Sequence, residues 1–237
     1  MMNLGYRIFD DTYIDKFALN LVQISVWYNR DEDFQRVSQL AQRLRQMGKR
    51  FVIHPTSTYL SETKTYLRRH YLDTLKRYAE ISDLGLIVHD ETLSWQGRLK
   101  GDWKDAYMSA LNELEQICNV SIENACNSSD ILWFWQTFAH SITFDIGHFE
   151  TAGMDCFKVI KSLTKEMIQK LDYIHLHRNN GKKESGITDH WPLVEDCAEL
   201  KVLKRLLELK PEVRVILEVD REMDIRKSLQ VINPKVL

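Results

Sequence analysis

The chain has 237 residues, 44% hydrophobic and 28% charged, the profile of a soluble globular protein with room for a substantial core in one or two domains. A formal charge of −2 argues against a broadly basic surface of the kind that grips nucleic acid. The opening MMNLGYRIFDDTY lacks the layout of a secretory leader, no run of eighteen apolar residues occurs, and Cys118, Cys126, Cys156 and Cys197 show no CxxC spacing, so a cytoplasmic chain with free thiols and no membrane span is expected.

In chain order, short β-like runs alternate with amphipathic stretches. Leu4–Phe9 is the first run, and the poorly patterned Asp10–Asn20 that follows reads as no more than a helical turn. After the run Leu21–Trp27, the segment Phe34–Met47 carries Val37, Leu40, Ala41 and Leu44 at helical steps and stops at Gly48. The pattern then repeats. Arg50–Pro55, Leu84–Asp90, Val120–Asn124, Ile142–Asp145, Tyr173–His177 and Val213–Val219 read as strands. Thr63–Ile81, Trp103–Cys118, Ile131–Phe138, Met154–Leu171, Glu199–Leu209 and Arg221–Val231 read as helices.

Eight strands with intervening helices describe a compact (β/α)8 TIM barrel. An open doubly wound sheet would show a Gly-rich phosphate turn after an early strand, and none is present. Nine glycines and four prolines leave no linker, so residues 1–237 read as a single domain.

In such a barrel the chemistry gathers at the carboxyl ends of the strands. There this chain places His54 (FVIHPT), His89 (LIVHDE), Glu123 (SIENA), Asp145 and His148 (FDIGH), His175 and His177 (YIHLHRNNG), and Glu218 and Asp220 (RVILEVD). The loop GITDHWPL adds Asp189 and His190. Asp145, Gly147 and His148 alone also fit an ordinary strand-to-helix turn, with Asp145 as the helix cap. Six of the eight histidines at one rim, together with buried carboxylates, call for a divalent metal: zinc, manganese or magnesium, one to three ions.

The ordered set resembles the xylose isomerase-like TIM-barrel superfamily, strand by strand over nearly the whole chain. That group includes sugar (phosphate) isomerases and epimerases and the endonuclease IV type of apurinic-site nuclease. The resemblance makes Glu123, Asp145, His175 and Glu218 the metal quartet shared by the sugar isomerases. It makes His54 and His89 the extra ligands that admit a second metal in the nuclease branch, and His148 and His190 two of three ligands of a third. There the family has Asp-x-His, whereas this chain reads Thr188-Asp189-His190. On a regular strand His175 and His177 share a face; the family pattern favours His175 as the ligand and leaves His177 to contact substrate or support a ligand.

Two activities follow from the resemblance. In a sugar or sugar phosphate isomerase or epimerase, Glu123 and Glu218 act as acid and base across an enediolate, with His148 and His177 on substrate hydroxyls. In an endonuclease IV-like hydrolase acting on abasic DNA, two or three zinc ions activate water, and His54 and His89 become essential. The near-neutral charge and short chain weigh against the second. Loss of activity to leave a binding barrel is disfavoured by the intact quartet.

Lys182, with Lys183 beside Gly181, sits where it could hold a sugar phosphate. Trp27-Tyr28, Trp95 and Trp191 fall in rim loops where aromatic rings stack on sugars. Tyr59-Leu60 and the cluster Lys64, Arg68 and Arg69 read as loop packing and a solvated helix face, and Trp133 and Trp135 as helix-to-barrel packing. The sequence leaves the oligomeric state open.

Overall fold

The computed structural model describes residues 2–28, 30–92, 97–179 and 189–232. Eight parallel strands close into a barrel in chain order: β1 (Asn3–Ile8), β2 (Leu21–Val26), β3 (Arg50–Pro55), β4 (Leu86–His89), β5 (Val120–Glu123), β6 (Ser141–Asp145), β7 (Leu171–Leu176) and β8 (Arg214–Leu217). β8 returns to pair with β1, Gly5 standing beside both Ile216 and Leu21. The expected (β/α)8 barrel is the observed fold.

The helices lie between the strands as α1 (Asp31–Gln46), α2 (Thr65–Ile81), α3 (Gly101–Glu115), α4 (Ile131–Phe138), α5 (Ile146–Thr151), α6 (Cys156–Ser162), α7 (Lys165–Lys170), α8 (Ala198–Leu209) and α9 (Glu222–Val231). The expected helix Met154–Leu171 is two. Its apolar period continues, but Asp155 accepts from the amides of Phe157 and Lys158, and Thr164 accepts from Met167. Each side chain caps a separate short helix, so the stretch breaks between them. Leu171 then opens β7 rather than closing a helix. Asp10–Asn20 forms turns only, held down by buried Tyr13, Ile14 and Phe17 and by the Tyr6 hydroxyl donating to the Ile14 carbonyl at 2.8 Å.

Each strand turns alternate residues to opposite sides. Val22, Ile24, Ile53, Val88, Ile122, Phe144, Ile174 and Leu217 join the helices in the main core. Leu21, Val52, Ile87, Tyr173 and Ile216 form a separate apolar layer. Gly5 belongs to that crowded interior, since a Cβ there would come within 2.6 Å of Leu21. No described helix is long and apolar enough to cross a membrane. The four cysteines are free.

Candidate metal centre

Two residues beyond the inner apolar layer, the same strands present Gln23, His54, His89, His175 and Glu218. β5 and β6 contribute Glu123 and Asp145 as their last residues. Glu123 is the hub. Its Oε1 lies 3.1 Å from His175 Nδ1 and 3.2 Å from His148 Nδ1. Its Oε2 lies 3.2 Å from His54 Nε2 and 3.7 Å from His89 Nε2. Asp145 and Glu218 approach the same His175 nitrogen at 3.6 and 3.7 Å.

Three groups can be drawn here, each with its ligand atoms within 4.8 Å of one another, and the first two share Glu123. Glu123, Asp145, His175 and Glu218 form the first; His54, His89 and Glu123 the second; His148, His177 and His190 the third. The quartet passes a test of fit to a divalent cation. Both Glu123 oxygens and both His175 ring nitrogens are fully buried yet make no hydrogen bond among the described residues. Buried polar atoms that face opposite charge but make no hydrogen bond are incompletely satisfied, and a cation shared by these donors removes that cost. Three carboxylates and an imidazole are an oxygen-rich donor set suited to manganese, zinc or magnesium.

Hydrogen bonds fix which nitrogens are available. His54 donates from Nδ1 to the Ile87 carbonyl at 2.9 Å, which leaves Nε2 aimed at Glu123. His148 donates from Nδ1 to the Asn124 carbonyl at 3.0 Å, so its Nε2 faces the cleft, 3.9 Å from Asp189. His177 is engaged at both ends. Its Nδ1 accepts from the His190 amide at 2.9 Å, and Nε2 donates to both Asp145 oxygens at 3.1 Å. In this arrangement His177 orients Asp145, and it must give up one bond before it can join the third group.

Electrostatics follow from the packing. Burial pushes the His175 imidazole toward neutrality, but Glu123, Glu218 and Asp145 overcome it and raise its pKa to about 10. Burial would raise the carboxyls too, yet His175, His54 and His89 hold Glu123 below its ordinary value, and Arg7 and His175 do the same to Glu218. His89, nearer the mouth, is lowered to about 4 by burial. The carboxylates demand positive charge. A proton on His175 meets that demand in one way and a divalent cation in another.

Local sequence explains how the site is held. Asp145 both joins the quartet and caps α5, accepting from the His148 amide at 2.6 Å, so the two readings of DIGH are one arrangement. Gly147 lies inside α5 without a positive φ, and its value is space: a Cβ would stand 2.1 Å from the His177 ring. Asn124 clamps β5 to β6, donating to the Asp145 carbonyl at 2.9 Å and accepting from its amide at 2.8 Å.

A cleft of about 350 Å³ opens above the centre, lined by His54, His89, His148 and His190 and by Glu218 and Arg7. Trp27, 46% exposed, forms one wall, stacked on Phe9 at 5.5 Å. Lys182, Lys183 and Trp95 lie outside the described residues. Two interior side chains outside the expected set join the cluster. Arg7 reaches Glu218 at 3.3 Å and pairs with Asp220, while Gln23 donates to Glu218. Both were visible as polar residues at inward positions of otherwise apolar strands.

No protein-family model and no curated protein matches the sequence. Solved structures match its fold. A D-tagatose 3-epimerase-like protein superposes with a TM-score of 0.64 at 17% identity, over 100% of both chains. SacUVDE matches with a TM-score of 0.65 at 12% identity, over 98% of each chain. A xylose isomerase domain containing protein from Salmonella typhimurium gives 0.68 at 10% identity, over 99% of this chain and 96% of that one.

The fold is the closed (β/α)8 barrel that these structures share.

Within this barrel, the expected ligand residues stand at the carboxyl ends of β3 to β8 and in the loops beyond them, where they fall into three neighbouring groups.

Proposed function

We propose that the chain is a divalent-metal-dependent isomerase or epimerase of a sugar or sugar phosphate. The observation that carries this reading is the convergence of Glu123, Asp145, His175 and Glu218 beneath a cleft of about 350 Å³, the volume of a single small substrate. Glu123, Asp145, His175 and Glu218 would hold the ion, which when bound would supply Lewis-acid polarisation of a sugar carbonyl and its neighbouring hydroxyl.

The proton transfers belong to the protein. Glu123 and Glu218 enter from β5 and from the end of β8, on well-separated staves of the barrel. One carboxylate takes the proton beside the carbonyl, and the other returns a proton to the same or the opposite face. His148 Nε2 hydrogen-bonds a hydroxyl, and Trp27 stacks on the ring face. The four free thiols suit a reducing compartment such as the cytoplasm.

A specific observation favours a second reading, a multinuclear phosphodiester hydrolase of the endonuclease IV kind. His54 and His89 form a three-ligand group with Glu123, which would then bridge two ions. A bridging carboxylate is poorly placed to act as a base.

The test is turnover on a panel of ketoses, their phosphates and an abasic oligonucleotide, with metal counted in parallel. Isomerisation by wild type, retained with one ion per chain in His54→Ala and His89→Ala, supports the first reading. Cleavage of the oligonucleotide by protein with two or three zinc ions, lost in both variants, replaces it with the second.

A further inference from the structure

We infer that Arg7 is an anion-binding residue of the cleft and that Asp220 occupies its seat until a phosphorylated substrate displaces it. This deepens the proposed function, resting on the cleft above the quartet as the substrate site.

Arg7 leaves β1 toward the barrel interior with only 3% of its side chain exposed. A buried guanidinium needs matched anions, and it has two. Nη1 lies 3.3 Å from Glu218 Oε2, and Nη2 pairs with Asp220. Those anions differ in kind. Glu218 is 1% exposed and belongs to the quartet, where a cation competes for its charge. Asp220 is 49% exposed, lies just past β8 and lines the cleft with Arg7.

Once Glu218 serves a cation, Asp220 is the principal partner left to Arg7. A half-exposed carboxylate gives up its ion pair at small cost, because water takes it back. The backbone there is pinned independently, the Tyr13 hydroxyl donating to the Asp220 carbonyl at 3.2 Å, so the side chain can swing without the loop moving.

The vacated fork suits one class of ligand. Guanidinium binds phosphate oxygens in pairs, and in this low-exposure setting the bonds are charge-assisted. The Arg7 guanidinium is buttressed against Phe9 at 5.1 Å, and Phe9 stacks on Trp27. The plane that receives a sugar ring and the fork that receives its phosphate are therefore mechanically continuous. His190 Nε2, 3.3 Å from Arg7 Nη1, stands at the same corner of the cleft.

The experiment is calorimetric titration of inorganic phosphate into manganese-loaded wild type, Asp220→Asn and Arg7→Lys, with bound manganese counted for each. Asp220→Asn removes the competing anion and keeps the fork, so phosphate should bind at least about threefold tighter. Arg7→Lys keeps the charge but loses the paired donors, and binding should weaken about tenfold. Equal affinity in wild type and Asp220→Asn, at equal manganese content, overturns the inference. So does unchanged affinity in Arg7→Lys. If Arg7→Lys loses its manganese, the Asp220→Asn comparison alone decides. Wild type that binds no manganese defeats the proposed metal site instead, an outcome separate from either affinity result.

Discussion

The two ends of the barrel interior are built by the same strands and obey opposite rules. Leu21, Val52, Ile87, Tyr173 and Ile216 close the lower end as an apolar layer. Two residues later, about 7 Å along each strand, stand Gln23, His54, His89, His175 and Glu218. The lower layer stabilises by removing apolar surface from water. The upper one buries ionisable groups whose cost is met only by charge, either a proton on His175 or a cation. One end holds the fold together, and the other spends stability on a site.

The largest effect expected is on turnover. Glu123→Gln removes the hub carboxylate, and the substrate identified by the panel should be turned over about 10²–10⁴-fold more slowly. Full activity in this variant would break the division between the two ends. Ile216→Ala at the lower end should do the reverse, costing about 2–5 kcal/mol by denaturant unfolding while leaving bound metal unchanged. Loss of metal there, with little loss of stability, would show that the layers are not separable.

Gly147→Ala probes the seam. Its methyl would meet the His177 ring, so an overpacking cost of about 1–3 kcal/mol is expected, together with weaker metal retention as Asp145 loses its orienting partner. Unaltered stability would mean that the ring is free to move away.

The smallest effect is a pH slope beside the rim. Burial raises the Glu91 carboxyl from 4.5 to about 7, despite donors from Leu60 and Ser61. A raised acid favours the folded state in its protonated form. That contribution is complete below pH 4.5 and lost as pH rises through about 7. The melting temperature of Glu91→Gln should therefore gain on wild type between pH 5 and pH 8. A difference that is flat with pH would contradict this.

The fold was legible because the strands are short apolar runs, a pattern set by burial on both sides, and β3 to β8 each carry an ionisable residue within one position of the strand's end. The rim cluster was legible for the same reason, since His, Glu and Asp at strand ends stand out against Val and Ile, whereas the choice of four ligands among them came from the family resemblance. What escaped was set by tertiary contact. Arg7 and Gln23 matter through Glu218, which lies some two hundred residues away in the chain. The double engagement of His177 depends on His190 and on the absence of a side chain at Gly147. The break between α6 and α7 hangs on the caps Asp155 and Thr164, which apolar periodicity does not register.

The most direct test of the account is elemental analysis of wild type after loading with zinc, manganese, cobalt or magnesium and removal of free ions. At least one tightly held ion per chain, absent from Glu123→Gln prepared identically, is the expected result. A folded wild type that retains none would contradict the claim that the upper end of this barrel is a metal centre.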